Sequence, residues 1–119
     1  MPAHYMSVTN AAAMTSRCRA QKENILDSGI RNTGIIPICE TSDRSALDAI
    51  LADTNCTKVR IYTAMNSDLK IRFVITGVNS SDADIFLSDT STSEVGVPSV
   101  IEMGLRCPAD CPPDSSLNS

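Results

Sequence analysis

Cys107 and Cys111 stand in a C-x3-C spacing within the run RCPADCPP at residues 106–113, with Pro108 and Pro112 beside them. Thiols so placed have three fates. They can pack as small reduced groups, close a short-loop disulfide, or supply half of a thiolate metal site. A structural zinc site repeats such a pair, whereas the other cysteines, Cys18, Cys39 and Cys56, are scattered. Redox dithiols use C-x2-C at a helix N-terminus, which these prolines do not favour. Packed thiols are the first expectation, a disulfide the second and a metal the third, and no cofactor is expected. Five cysteines are an odd number, so at least one thiol stays unpaired within a monomer.

A second set of residues carries charge at regular spacing. Lys58, Arg60, Lys70 and Arg72 alternate with apolar residues across KVRIY and LKIRFVI. Alternation on both sides of a polar turn, here Met65 to Asp68, reads as a β-hairpin with one buried face. It predicts Val59, Ile61, Leu69, Ile71, Phe73 and Ile75 inward and the four cations together on an exposed basic face. Such a face is either ordinary solvated surface or a seat for an acidic partner, for which residues 82–119 of a neighbouring copy would serve.

Catalytic constellations are not written in the sequence. The single histidine is His4, in a stretch where chains are usually mobile, and a hydrolase triad or Cys-His pair needs its base held rigidly. Neither glycine-rich phosphate-loop pattern occurs. Asp82 and Asp84 lack the further ligands of a calcium loop. The chain is not expected to be an enzyme.

The elements that must position these residues follow from pattern and composition. A length of 119 residues fits one domain. With no tryptophan, two tyrosines and two phenylalanines, its core must rest on Ile, Leu, Val and Met. Residues 9–27 read as a helix capped by Thr9, with Met14, Cys18, Ile25 and Leu26 roughly on one face and Cys18 packed as a small hydrophobe. Residues 30–40 form a connector pinned by Ile35, Ile36 and Ile38. Residues 42–53 read as a second helix capped by Thr41 or Ser42, with Ala46, Leu47, Ile50 and Leu51 as its apolar stripe. After the hairpin, Gly77, Asn79 and Ser80 open a turn, and residues 83–87 make a third strand. Residues 88–93 are a polar loop and residues 97–105 a last short strand. The sum is α+β: two N-terminal helices, an antiparallel meander of three to four strands, and an extended Pro/Cys tail. The expected organisation is a single domain over residues 1–105 and an arm over residues 106–119.

The hairpin and tail together resemble a set of small Bacteroidetes proteins of unknown function. Their pattern runs through M-T-x-x-x-R-A, a V-R-I-Y hairpin, G-V-D-x-x-G-x-D-I, C-P-P-x-C and a terminal L-N. Met14, Thr15, Arg19 and Ala20 match it, as do Val59 to Tyr62, Gly77, Val78, Asp84, Ile85, Cys107, Pro108, Cys111, Leu117 and Asn118. The departures are Asn79 for Asp, Asp82 or Ala83 for Gly, and Ala109 for the second proline. The resemblance implies a fold and brings no activity with it.

Charge and hydropathy narrow the partners. The net charge is −4, and it is uneven. Residues 1–39 carry four basic groups against two acids, residues 40–81 five of each, and residues 82–119 Arg106 against seven acids. General nucleic-acid binding needs a concentrated basic face and is not expected. No run approaches the ~20 apolar residues of a membrane span, and no secretory leader pattern is visible. A cytoplasmic setting is the default, with extracellular assembly as the other setting. The functional expectation is a non-catalytic structural protein that self-associates into a homo-oligomer or filament, its tail docked on a neighbouring copy. The competing expectation is a small monomeric or dimeric binding or regulatory module with a cysteine-based metal or redox site.

Overall fold

A computed structural model describes residues 4–87, 100–102, 104–107 and 109–118. The expected 88–93 loop, residues 97–99 and 103 of the last expected strand, and Pro108 lie outside these residues. The element order is α1 (Val8–Gln21), a 3-10 turn (Ser28–Ile30), β1 (Cys39–Thr41), α2 (Arg44–Leu51), β2 (Lys58–Met65), β3 (Ile71–Val78), β4 (Asp84–Ile85), β5 (Ile101–Glu102) and β6 (Leu105–Cys107). The class is α+β. β1 and β6 form a two-stranded sheet. The chain divides into two compact units, Met1–Cys39 with Arg106–Ser119, and Glu40–Leu105. Residues 106–119 therefore group with the N-terminal segment rather than standing apart as an arm on a 1–105 domain.

The 40–105 unit is built around β3. β2 lies antiparallel to β3 along its whole length, from Lys58 opposite Val78 to Met65 opposite Ile71. On the other edge of β3, β4 pairs at Gly77 and Val78 and β5 at Val74 and Ile75. β3 is thus flanked on both edges, and Ile75, Thr76 and Val78 are buried with Ile50 of α2. A Cβ placed on Gly77 would lie 3.1 Å from both Cys56 Sγ and Ile50 Cγ2, so glycine lets α2 and the 56–57 turn close onto the sheet. α2 begins at Arg44 behind Asp43, later than Thr41 or Ser42 would start it, and of its expected stripe Leu51 is exposed.

The hairpin differs from expectation in its burial. Val59 and Ile61 do share a face with Ile71, Phe73 and Ile75, but both are exposed. α2 packs on β3, where Ile50 meets Gly77, whereas Val59 and Ile61, directly across from Gly77 and the buried Ile75, lie on the neighbouring strand and stay exposed. Leu69 is displaced further, out of the strand and into the turn.

Two loops of the same build connect the meander. Asn66 opens one and Asn79 the other. In each, the fourth residue donates its N–H to the asparagine carbonyl (Leu69 and Asp82, both 3.0 Å), and the asparagine N–H donates to the fifth residue's carbonyl (Lys70, 3.0 Å; Ala83, 2.9 Å). The asparagine Oδ1 accepts from the third and fifth N–H groups, those of Asp68 and Lys70 in one loop and Ser81 and Ala83 in the other. This is a type I turn followed by a left-handed residue, the three-residue hairpin loop that normally places glycine last. Here the left-handed positions are Leu69 (φ 63°) and Asp82 (φ 65°). Both side chains therefore occupy backbone positions that suit glycine.

In the other unit, α1 starts at Val8, where Ser7 Oγ rather than Thr9 caps it by accepting from Asn10 N–H. It stops at Gln21, well before residue 27, because Glu23 is committed elsewhere. One of its oxygens accepts from Asn32 N–H (2.6 Å) and the other meets Lys22 Nζ (2.8 Å). The Lys22 ammonium and the Asn32 amide hold the Glu23 carboxyl below its ordinary pKa. No residue of α1 is buried. Its half-covered positions are Ala11, Ala12, Thr15 and Arg19, and Cys18 is exposed rather than packed.

Candidate functional site

The 106–118 segment is tied down by its own chain. Arg106 donates to the carbonyls of Gly34 (2.7 Å) and Ile35 (2.9 Å). Ile38 N–H donates to the Cys107 carbonyl at 2.8 Å, and Cys107 is 2% exposed. Further on, the Arg19 guanidinium donates to the Leu117 carbonyl. Asn118 folds the last turn, accepting from Ser115 N–H and donating to the Pro113 carbonyl. Cys107 and Cys111 are joined in a disulfide, the second of the three fates considered for them, in place of packed thiols. Cys111 and Pro112 are exposed. Cys18, Cys39 and Cys56 are free.

Lys58, Arg60 and Arg72 lie on one side of the strands, with Lys70 in the loop before β3, but they do not make an open basic face. Arg60 is forked between Asp84 Oδ1 (2.7 Å) and Asp82 Oδ1 (3.0 Å). Asp84 also accepts from Tyr62 Oη (2.5 Å) and Thr76 Oγ1 (3.1 Å). These bonds, the one from Tyr62 foremost and that from Arg60 after it, hold the Asp84 carboxyl below its usual value, and the bond to Asp84 raises the Arg60 pKa. Arg72 Nε lies 3.0 Å from Glu40 Oε1, the Glu40 side chain being fully buried and that of Arg72 19% exposed. Arg72 also donates to the Gly104 carbonyl. Lys58 sits loosely, 3.9 Å from Asp82. The acidic counterparts are therefore carboxylates of the same unit. Arg60, Tyr62 and Thr76 thus meet Asp84 in one network.

The surface that the alternation did not reveal is the outer edge of β2. Asn66 N–H donates to the Lys70 carbonyl at the hairpin end of the ladder, and the bond from Asn79 N–H to the Ala83 carbonyl puts the odd residues of β3 toward β4 and its even residues toward β2. That phase directs the backbone groups of residues 58, 60, 62 and 64 toward β3. The N–H and C=O groups of Val59, Ile61 and Thr63 then face away from it. β2 pairs with β3 alone among the described strands. Along the same edge Val59, Ile61 and Met65 are 50%, 61% and 55% exposed, and Tyr62 is 42% exposed. Backbone donors and acceptors beside an apolar stripe form a template for another strand. Period-two patterning identifies which side chains share a face. It carries no signal for which strand will have a neighbour.

Compared with protein-family models, curated proteins and solved structures, the chain matches none.

A shallow hollow of about 170 Å³ on α1, lined by Met14, Thr15, Cys18, Arg19, Lys22 and Ile38, has both of its cations engaged, Lys22 by Glu23 and Arg19 by the Leu117 carbonyl. Among the described residues no three His, Cys, Asp or Glu side chains converge as a metal site, and no helix is long and apolar enough to cross a membrane.

Proposed function

We propose that this chain is a non-catalytic structural protein that acts by associating with copies of itself. The observation that supports this reading is the edge of β2, where an eight-residue strand has no strand partner among the described residues and exposes Val59, Ile61 and Met65. Covering that edge removes apolar area from water and completes a hydrogen-bond ladder at once. The segment 106–118, folded against its own unit, is not needed as the docking arm. The Cys107–Cys111 disulfide suits an oxidising compartment or the cell exterior, and assembly outside the cytoplasm is the setting that it favours.

The test is size-exclusion chromatography with light scattering at micromolar concentrations. The native chain should run above its monomer mass of 12.7 kDa, and Ile61→Lys, which places a charge in the middle of the stripe, should return it to that mass. A native chain that stays at 12.7 kDa would defeat the reading in favour of a monomeric binding module.

A further inference from the structure

Resting on the self-association reading, we infer that the partner of β2 is β2 of a second copy, antiparallel about a two-fold axis through Tyr62, giving a closed dimer with one continuous sheet. Three observations fix the arrangement. The first is direction. Both cations of β2, Lys58 and Arg60, lie at its start. Parallel pairing in register would set Lys58 against Lys58 and Arg60 against Arg60, which is unfavourable for like charges directly opposite. Antiparallel pairing sends them to opposite ends.

The second is hydrogen-bond phase. The outward-facing backbone groups belong to Val59, Ile61 and Thr63, so odd residues must pair with odd residues across the new ladder. A two-fold axis through Tyr62 meets that condition. It puts Ile61 opposite Thr63 and Val59 opposite Met65 of the second copy, so that the exposed apolar stripe covers itself. The two Tyr62 side chains meet at a non-bonded position, where side chains are closest. An axis through Arg60 would oppose the two guanidinium groups.

The third is charge at the ends. In this register Lys58 falls opposite Asn66 of the second copy, at the start of the loop that carries Asp68. Asp68 is exposed and has no ion pair among the described residues. Lys58 and Asp68 thus approach each other twice, once at each end of the ribbon. Shifting the axis to Ile61 would set Lys58 opposite Ala64 and lose both contacts. The interface is isologous and closes on itself, so β2 is used up in the dimer and does not propagate a filament.

Cross-linking and charge exchange test this together. Across a non-bonded antiparallel pair the Cα atoms lie about 4.5 Å apart, within disulfide range, so Tyr62→Cys should give a reducible covalent dimer under oxidation. Ile61→Cys should not, and the unsubstituted chain on the same gel controls for the native cysteines. Asp68→Lys should weaken the dimer about tenfold, two ion pairs being reversed, and adding Lys58→Asp should restore it. An oligomer in which Ile61→Cys links instead, or in which the double exchange fails to restore affinity, overturns this geometry and leaves self-association standing. A native chain that is monomeric overturns both.

Discussion

Asp84 is the residue on which the most side chains converge. Arg60, Tyr62 and Thr76 all donate to it, and its carboxyl is held below the ordinary range. A group whose folded pKa is depressed adds stability above its unfolded pKa of about 3.9 and loses it as pH falls through the lower folded value. Asp84→Asn should therefore melt lower than the native chain at pH 7, and the gap should close as the pH drops below about 4. A gap unchanged down to pH 2 would show that the carboxylate charge is not what the network uses. Leu69 presents the opposite case, a side chain in a backbone state that suits none. The left-handed region costs a β-carbon-bearing residue ~1–2 kcal/mol, and Leu69 is mostly exposed. Leu69→Gly should raise the denaturation midpoint, by up to ~1 kcal/mol in stability once the added entropy of the unfolded glycine is subtracted. A lower midpoint would mean that the leucine side chain makes contacts worth more than the strain. Neither effect was legible beforehand. The sequence places Asp82 and Asp84 close together, but only the register of β2 on β3 brings Arg60 and Tyr62 to Asp84.

At the level of elements, β3 and β2 have similar compositions and opposite fates. β3 is flanked on both edges and holds Ile75 and Val78 in the core; β2 pairs with β3 alone among the described strands and exposes Val59 and Ile61. Ile75→Ala should cost ~2–5 kcal/mol, while Ile61→Ala, measured under conditions where the chain is monomeric, should cost under ~0.5 kcal/mol. Equivalent losses in urea denaturation would show that β2 is covered within the monomer. The hairpin itself was plain from alternation, and so was the sharing of faces, because side-chain direction in a strand is a local property. Burial is not local. It depended on which strand α2 packs against and on where the short strands β4 and β5 attach. The end of α1 was missed for a related reason. Glu23 looks like a good helix former, and its ties to Lys22 and to the distant Asn32 amide are visible only in three dimensions.

For the molecule as a whole, the class α+β was within reach of composition and periodicity, whereas the division of the chain was not. Prolines and an absent helix pattern make residues 106–119 look like a loose arm, yet Cys107 is buried and Arg106 binds the 34–35 carbonyls. Removing residues 106–118 should therefore strip amide-exchange protection from residues 8–38 while the 58–78 hairpin stays protected. Full protection of α1 in the truncated chain would restore the picture of a detachable arm. The same discontinuity sets an order of events during synthesis. The Glu40–Leu105 unit is complete in sequence when residue 105 has been made, while the unit containing α1 still waits for its second half. Domains fold as their residues emerge, so the meander is free to form first. α1, although translated before the meander, must wait for the segment from residue 106 onward before it gains its permanent neighbours.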